Sequence, residues 1–150
     1  MKYGANEILF QKGLTFIELI LATSLIAILA ATSSPFLSRF ILSINQYSTV
    51  DKVVSTLKKA QGYSMSGKDG VSWGVCHTGS VIRLYRGVSC NSNLLAEDFD
   101  IPSSVTVTGM SDIKFSLSKG EPTATISVTI SSAVATKTIT VTGAGGVSAN

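Results

Sequence analysis

From Leu14 to Ala31 the chain reads LTFIELILATSLIAILAA, 18 residues with a single charge, Glu18. A helix crosses the hydrocarbon core of a bilayer with about 20 predominantly apolar residues, and Phe36, Leu37, Phe40, Ile41 and Leu42 extend the run. From Ser43 the pattern changes. Ile44, Tyr47, Val50, Val53, Val54, Leu57 and Ala60 recur every three or four positions, with Asn45, Gln46, Asp51, Lys52, Lys58 and Lys59 between them, which predicts an amphipathic helix. The two segments together predict one helix from about Leu14 to about Ser66, stopped by Gly67-Lys68-Asp69-Gly70.

Beyond Gly70 the period becomes two. Ser72–His77 and Ser80–Tyr85 flank His77-Thr78-Gly79 as a hairpin. Val105 and Val107 alternate with Thr106 and Thr108, and Ile113, Phe115 and Leu117 with Lys114 and Ser116. Ala124, Ile126, Val128 and Ile130 alternate with Thr and Ser, and Ile139 and Val141 with Thr138, Thr140 and Thr142. These are half-buried antiparallel strands, with turns at Gly109 to Ser111 and at Lys119-Gly120-Glu121-Pro122. The class is α+β: a transmembrane segment 14–42, then a globular head 43–150 in which an amphipathic helix, 43–66, packs on a β-rich part, 71–142. Gly143-Ala144-Gly145-Gly146 opens a tail, 143–150, read as flexible because no helix follows to make a phosphate cradle of it.

Charge adds direction. Lys2 and Lys12 precede the apolar run, so the positive-inside rule keeps residues 1–13 in the cytoplasm and sends the head outside. The formal net charge is +3, and Lys58-Lys59 is the one adjacent basic pair, so the footprint of a nucleic-acid binder is missing. Nucleic acid is therefore not among the expected partners. About 108 residues follow Leu42, enough to bury roughly 60–70 % of their unfolded surface without a metal or a dense disulfide framework. Outside the cytoplasm Cys76 and Cys90 are free to pair, the alternative being two separately buried thiols.

Glu18 is the anomaly, because an acid near the centre of a membrane helix costs about 2.5–3.5 kcal/mol on insertion scales, less toward an end. One reading is that Glu18, six residues after Lys12, reaches the cytoplasmic interface. The other comes from its neighbourhood. Lys12-Gly13-Leu14-Thr15-Phe16-Ile17-Glu18-Leu19-Ile20 resembles the prepilin peptidase recognition sequence of type IV pilins and type II secretion pseudopilins, a likeness that extends over residues 12–35.

The resemblance implies a leader, 1–13, cut after Gly13, N-methylation of the new terminal residue Leu14, and a role for Glu18 in joining subunits into a filament. Family members mostly carry Phe where this chain has Leu14. The chemistry fits those roles: glycine lets a protease approach the backbone, and the cut creates a charged amine. A carboxylate in a dry helix bundle is costly alone and stabilised when it faces that amine on a neighbour, so Glu18 would set the axial register. Pro35 follows Thr32-Ser33-Ser34 and removes a helical hydrogen bond, which implies a kink or the end of the membrane span. The order of helix, hairpin and later strands resembles the minor pilin and pseudopilin H branch. Implied partners are other pilin or pseudopilin subunits, prepilin peptidase, an inner-membrane assembly platform and membrane lipid. The implied location is the inner membrane, then a periplasmic or cell-surface filament.

Two alternatives share the β head. A secreted or anchored binding module such as an adhesin would lose the apolar run to signal peptidase near Ala30 or Ala31, and a minor pilin could take up DNA. Catalysis and cofactors are not expected. His77 is the one histidine and no nucleophile motif surrounds it. Cys76 and His77 are consecutive on a strand and face opposite ways, so with Cys90 they make no zinc site. Glu97, Asp98 and Asp100 form a candidate calcium cluster without EF-hand spacing.

Overall fold

The computed structural model describes residues 13–90 and 95–150, so Lys2, Glu7 and Lys12 and most of the expected leader lie outside the described residues. Among these described residues a 50-residue helix, α1 (Phe16–Met65), is followed by a 3-10 turn at Lys68–Gly70 and eight strands. The chain divides into two compact units between Leu37 and Ser38, a few residues ahead of the boundary read from hydropathy.

In the first unit α1 exposes its apolar side chains all round: Phe16 is 78 % exposed and Ile26 65 %. An 18-residue window has mean hydropathy 2.0 with none of it buried, so this helix is long and apolar enough to cross a membrane. Three of its hydroxyls turn inward on the helix itself. Thr23 Oγ1 donates to the Leu19 carbonyl at 2.9 Å, Ser24 Oγ to Leu21 at 2.9 Å and Thr32 Oγ1 to Leu29 at 3.0 Å. Back-bonding of this kind lets Ser and Thr sit in an apolar solvent without an orphaned donor. Pro35 lies inside the helix, where it lacks the N–H that would otherwise donate to the Ala31 carbonyl.

In the second unit the inner face of α1 buries Val50, Val53, Leu57 and Ala60. The stripe read from the sequence began at Ile44 and Tyr47, and here the structure corrects it: they are 48 % and 58 % exposed. Gln46 and Thr49 take the inward positions instead. Gln46 is accommodated because its amide is fully used. Nε2 donates to the carbonyls of Ala135 at 3.0 Å and Ile130 at 3.3 Å, and Oε1 accepts from Ser132 Oγ at 3.0 Å. At the other end Gly67, in the left-handed region at φ 65°, terminates the helix, and buried Ser64 receives the backbone N–H of Trp73 at 2.8 Å.

Among the described residues the strands make two four-stranded antiparallel sheets. The first has the order β3 (Leu95–Asp100), β2 (Val81–Arg86), β1 (Trp73–Thr78), β5 (Asp112–Lys114). The second has β4 (Val105–Thr108), β6 (Ile126–Ser132), β7 (Thr136–Val141), β8 (Val147–Ala149). Inward residues of both sheets, among them Val75, Leu84, Ile113, Val107, Val128 and Ile139, share one buried cluster with Val53 and Leu57 of α1.

Two further expectations are corrected. The strand read over 113–117 stops at Lys114; Phe115 makes a single bridge to Pro122, and Leu117 is 43 % exposed. Residues 143–150 are not a loose end, since Val147–Ala149 pairs with β7 and the Asn150 and Thr138 backbones exchange hydrogen bonds at 2.9 and 3.0 Å. The glycines serve the turn. Gly145 has φ +85°, and a Cβ there would run into Gln61 Nε2 and the Gly120 carbonyl, so only glycine lets this turn lie against α1.

Candidate functional site

At the N-terminal end, Gly13 is exposed with no heavy atom within 4 Å of where a Cβ would sit, and Leu14 is 73 % exposed. The bond between them is open to a protease. Thr15 caps α1: its carbonyl accepts the first helical hydrogen bond, from Leu19 N at 3.1 Å, and its Oγ1 accepts from Glu18 N at 3.4 Å. Thr15-Phe16-Ile17-Glu18 has the spacing of a capping box, in which an acid at the third helical position also complements the positive end of the helix dipole. The T-x-x-E pattern was present in the sequence, and it gives Glu18 a local role in capping the helix. Among the described residues Glu18 is the single acid of the first turn, and it is exposed.

The head carries the second cluster. Cys76 and Cys90 form a disulfide, with Cα atoms 6.0 Å apart and a sequence separation of 14. Cys76 is buried on β1, where its neighbours across the sheet are Arg83 on β2 and Asp112 on β5. The bond ties the segment after β2 back to the middle of the first sheet. Asp112 reinforces it: one carboxylate oxygen accepts from the Cys90 backbone N–H at 3.4 Å and the other accepts from the Tyr85 hydroxyl. Burial pushes the Tyr85 hydroxyl far above its usual pKa, and the adjacent Asp112 carboxylate adds to the rise.

The acidic cluster proposed for calcium is a strand, and its acids are taken up separately. Glu97 accepts from Lys59 Nζ at 2.6 Å, and Asp98 binds Arg83 through two hydrogen bonds of 2.9 Å, which hold its carboxyl below the usual range. Adjacent strand residues face opposite ways, so Glu97 and Asp98 point to different partners and cannot converge on one ion. Among the described residues no group of three or more metal-ligating side chains is assembled. His77 is half-buried on β1 and lines an open cleft of about 210 Å³ with Ser80, Ile101 and Val105.

The site residues thus fall into separate groups: Gly13, Leu14 and Glu18 at the start of α1, Pro35 within it, and the Cys76–Cys90 bond in the head. No protein-family model, no curated protein and no solved structure matches the chain.

Proposed function

We propose that the chain is a structural subunit, of the minor kind, of a type IV pilus or type II secretion pseudopilus. Prepilin peptidase would cut it after Gly13 and methylate Leu14, and it would assemble through α1 with its head outside the inner membrane. The observation that carries this reading is the junction itself: an open Gly13–Leu14 bond, a helix starting two residues later, and one carboxylate, Glu18, in its first turn ahead of a long, predominantly apolar stretch. The disulfide supports an extracytoplasmic head, because such bonds persist in oxidising compartments. A subunit retained by its helix gains membrane lipid and neighbouring helices as partners and needs no catalytic group.

The experiment compares wild type with Glu18→Val and Glu18→Gln for the amount of subunit in sheared filaments and in the membrane fraction. Pairing with a neighbour's amine requires the charge, so both variants should be inserted and folded yet depleted from filaments, since breaking a buried ion pair costs about 3–5 kcal/mol. A capping role is served by Gln as well as by Glu. Normal incorporation of Glu18→Gln would show that the local cap is all that Glu18 supplies.

A further inference from the structure

The two sheets treat their open edges differently. The edge strands of the first carry charge, Glu97, Asp98 and Asp100 on β3 and Asp112 and Lys114 on β5. Charges on an edge discourage pairing with another chain. The edge strands of the second, Val-Thr-Val-Thr in β4 and Val-Ser-Ala in β8, carry none. Among the described residues neither has a strand on its outer side.

The outward hydrogen-bonding groups of these two edges are in phase. Val105 N–H turns away from β6 and is taken by the Pro102 carbonyl, so on the outer side Val105 offers its C=O alone, while strand alternation places both the N–H and the C=O of Val107 there. On β8 the mutual bonds of Asn150 with Thr138 put Ser148 on the inner side, toward β7, and leave Val147 and Ala149 facing out. In both strands the outward-bonding residues are the ones on the core face: Val105 and Val107 are buried, and Val147 packs against the core cluster. Directly opposed residues in a ladder share a face, so the two edges can pair with their core faces aligned. Strand direction agrees as well. The sheet has four strands, each antiparallel to the next, so β8 of one copy and β4 of a copy translated alongside run antiparallel.

We propose that the second sheet continues from head to head, β8 of one copy pairing with β4 of the next, Val147 opposite Val107 and exchanging both backbone bonds with it, and Ala149 alongside Val105, where the Ala149 N–H meets the Val105 carbonyl and the Val105 N–H stays with Pro102. The cleft of about 210 Å³ beside β4, lined by Val105, Val107, Ile101 and His77, receives the side chain of Ala149, which β8 leaves exposed. Such a contact is heterologous and repeats, giving an open array or a ring rather than a two-fold dimer. The proposal deepens the filament reading and rests on it, with one addition: copies of this chain occupy neighbouring positions.

This register places Thr106 opposite Ser148 in a non-hydrogen-bonded pair, with Cα atoms about 4.5 Å apart, within reach of a disulfide. The test is oxidation of membranes containing the full chain with Thr106→Cys and Ser148→Cys together, followed by a non-reducing gel. A reductant-sensitive ladder of dimers, trimers and larger species is expected. Either single variant alone should give no band above monomer, the two co-expressed should give dimers only, and Val107→Pro in the double variant should remove the ladder because it deletes the outward N–H and leaves the bonds to β6. No ladder from the double variant, a dimer from Thr106→Cys alone, or a ladder that survives Val107→Pro would each overturn the seam. Mass spectrometry of the same samples separates the two ideas. A chain beginning at Leu14 without a ladder refutes the seam alone, and a ladder from a chain beginning near Ala31 refutes the filament reading alone.

Discussion

Removing the Cys76–Cys90 bond is a perturbation whose size follows from the chain. The cystine closes a loop spanning a sequence separation of 14, and a loop of about 15 residues costs the denatured state roughly 3 kcal/mol of entropy. The double variant Cys76→Ala/Cys90→Ala should therefore lose about 3 kcal/mol, with a smaller loss as the Cys90 N–H to Asp112 bond becomes free to open. The head contains its own reporter. Trp73 is the one tryptophan of the chain, 3 % exposed on the strand that carries Cys76, with its ring 4.8 Å from that of Tyr63. Urea unfolding in detergent, followed by Trp73 fluorescence, should show the midpoint falling by roughly 1–3 M at a slope of about 1–3 kcal/mol per M. The slope itself should rise or stay level, because an uncrosslinked denatured chain exposes at least as much surface. A midpoint within about 0.3 M of wild type at unchanged slope would mean that the bond constrains nothing that unfolding releases, and the loop-entropy argument would fail.

Gln46→Ala should destabilise the head by about 1–3 kcal/mol in the same assay, because the carbonyl of Ile130 and the hydroxyl of Ser132 each lose a buried partner. A change below about 0.5 kcal/mol would show that water replaces the amide. Tyr85 has a folded-state pKa raised by burial, so its contribution to stability is complete below the unfolded value near 10 and is lost as pH rises toward the folded value. Tyr85→Phe should abolish that alkaline loss; an identical alkaline slope in wild type and variant would assign it to other groups.

Much of the architecture was written in local pattern. The change from an unbroken apolar run to a three-four repeat at Ser43, and then to a two-residue repeat after Gly70, gives the ends of α1 and the core strands β1, β2, β4, β6 and β7 within a few residues. What was missed depends on partners distant in sequence. Leu95–Asp100 reads as an acidic loop until Lys59 and Arg83 neutralise Glu97 and Asp98, after which it can lie at a sheet edge. The split into two sheets follows from β5 joining β1 and β4 joining β6, pairings that no turn between neighbours encodes. Gln46 resembles a surface residue because its three partners sit more than 80 positions away. At the N-terminal site the reverse holds: Thr15 and Glu18 are three residues apart, and the cap they form is a local signal overshadowed by the apolar run around it.

The start of the mature chain tests the account most directly. Intact-mass and N-terminal peptide analysis of protein taken from the envelope should find a chain that begins at Leu14, with one methyl group on its amine and every residue of the apolar helix retained. A chain that begins near Ala31, or that still carries residues 1–13 in a cell with an active prepilin peptidase, would contradict it.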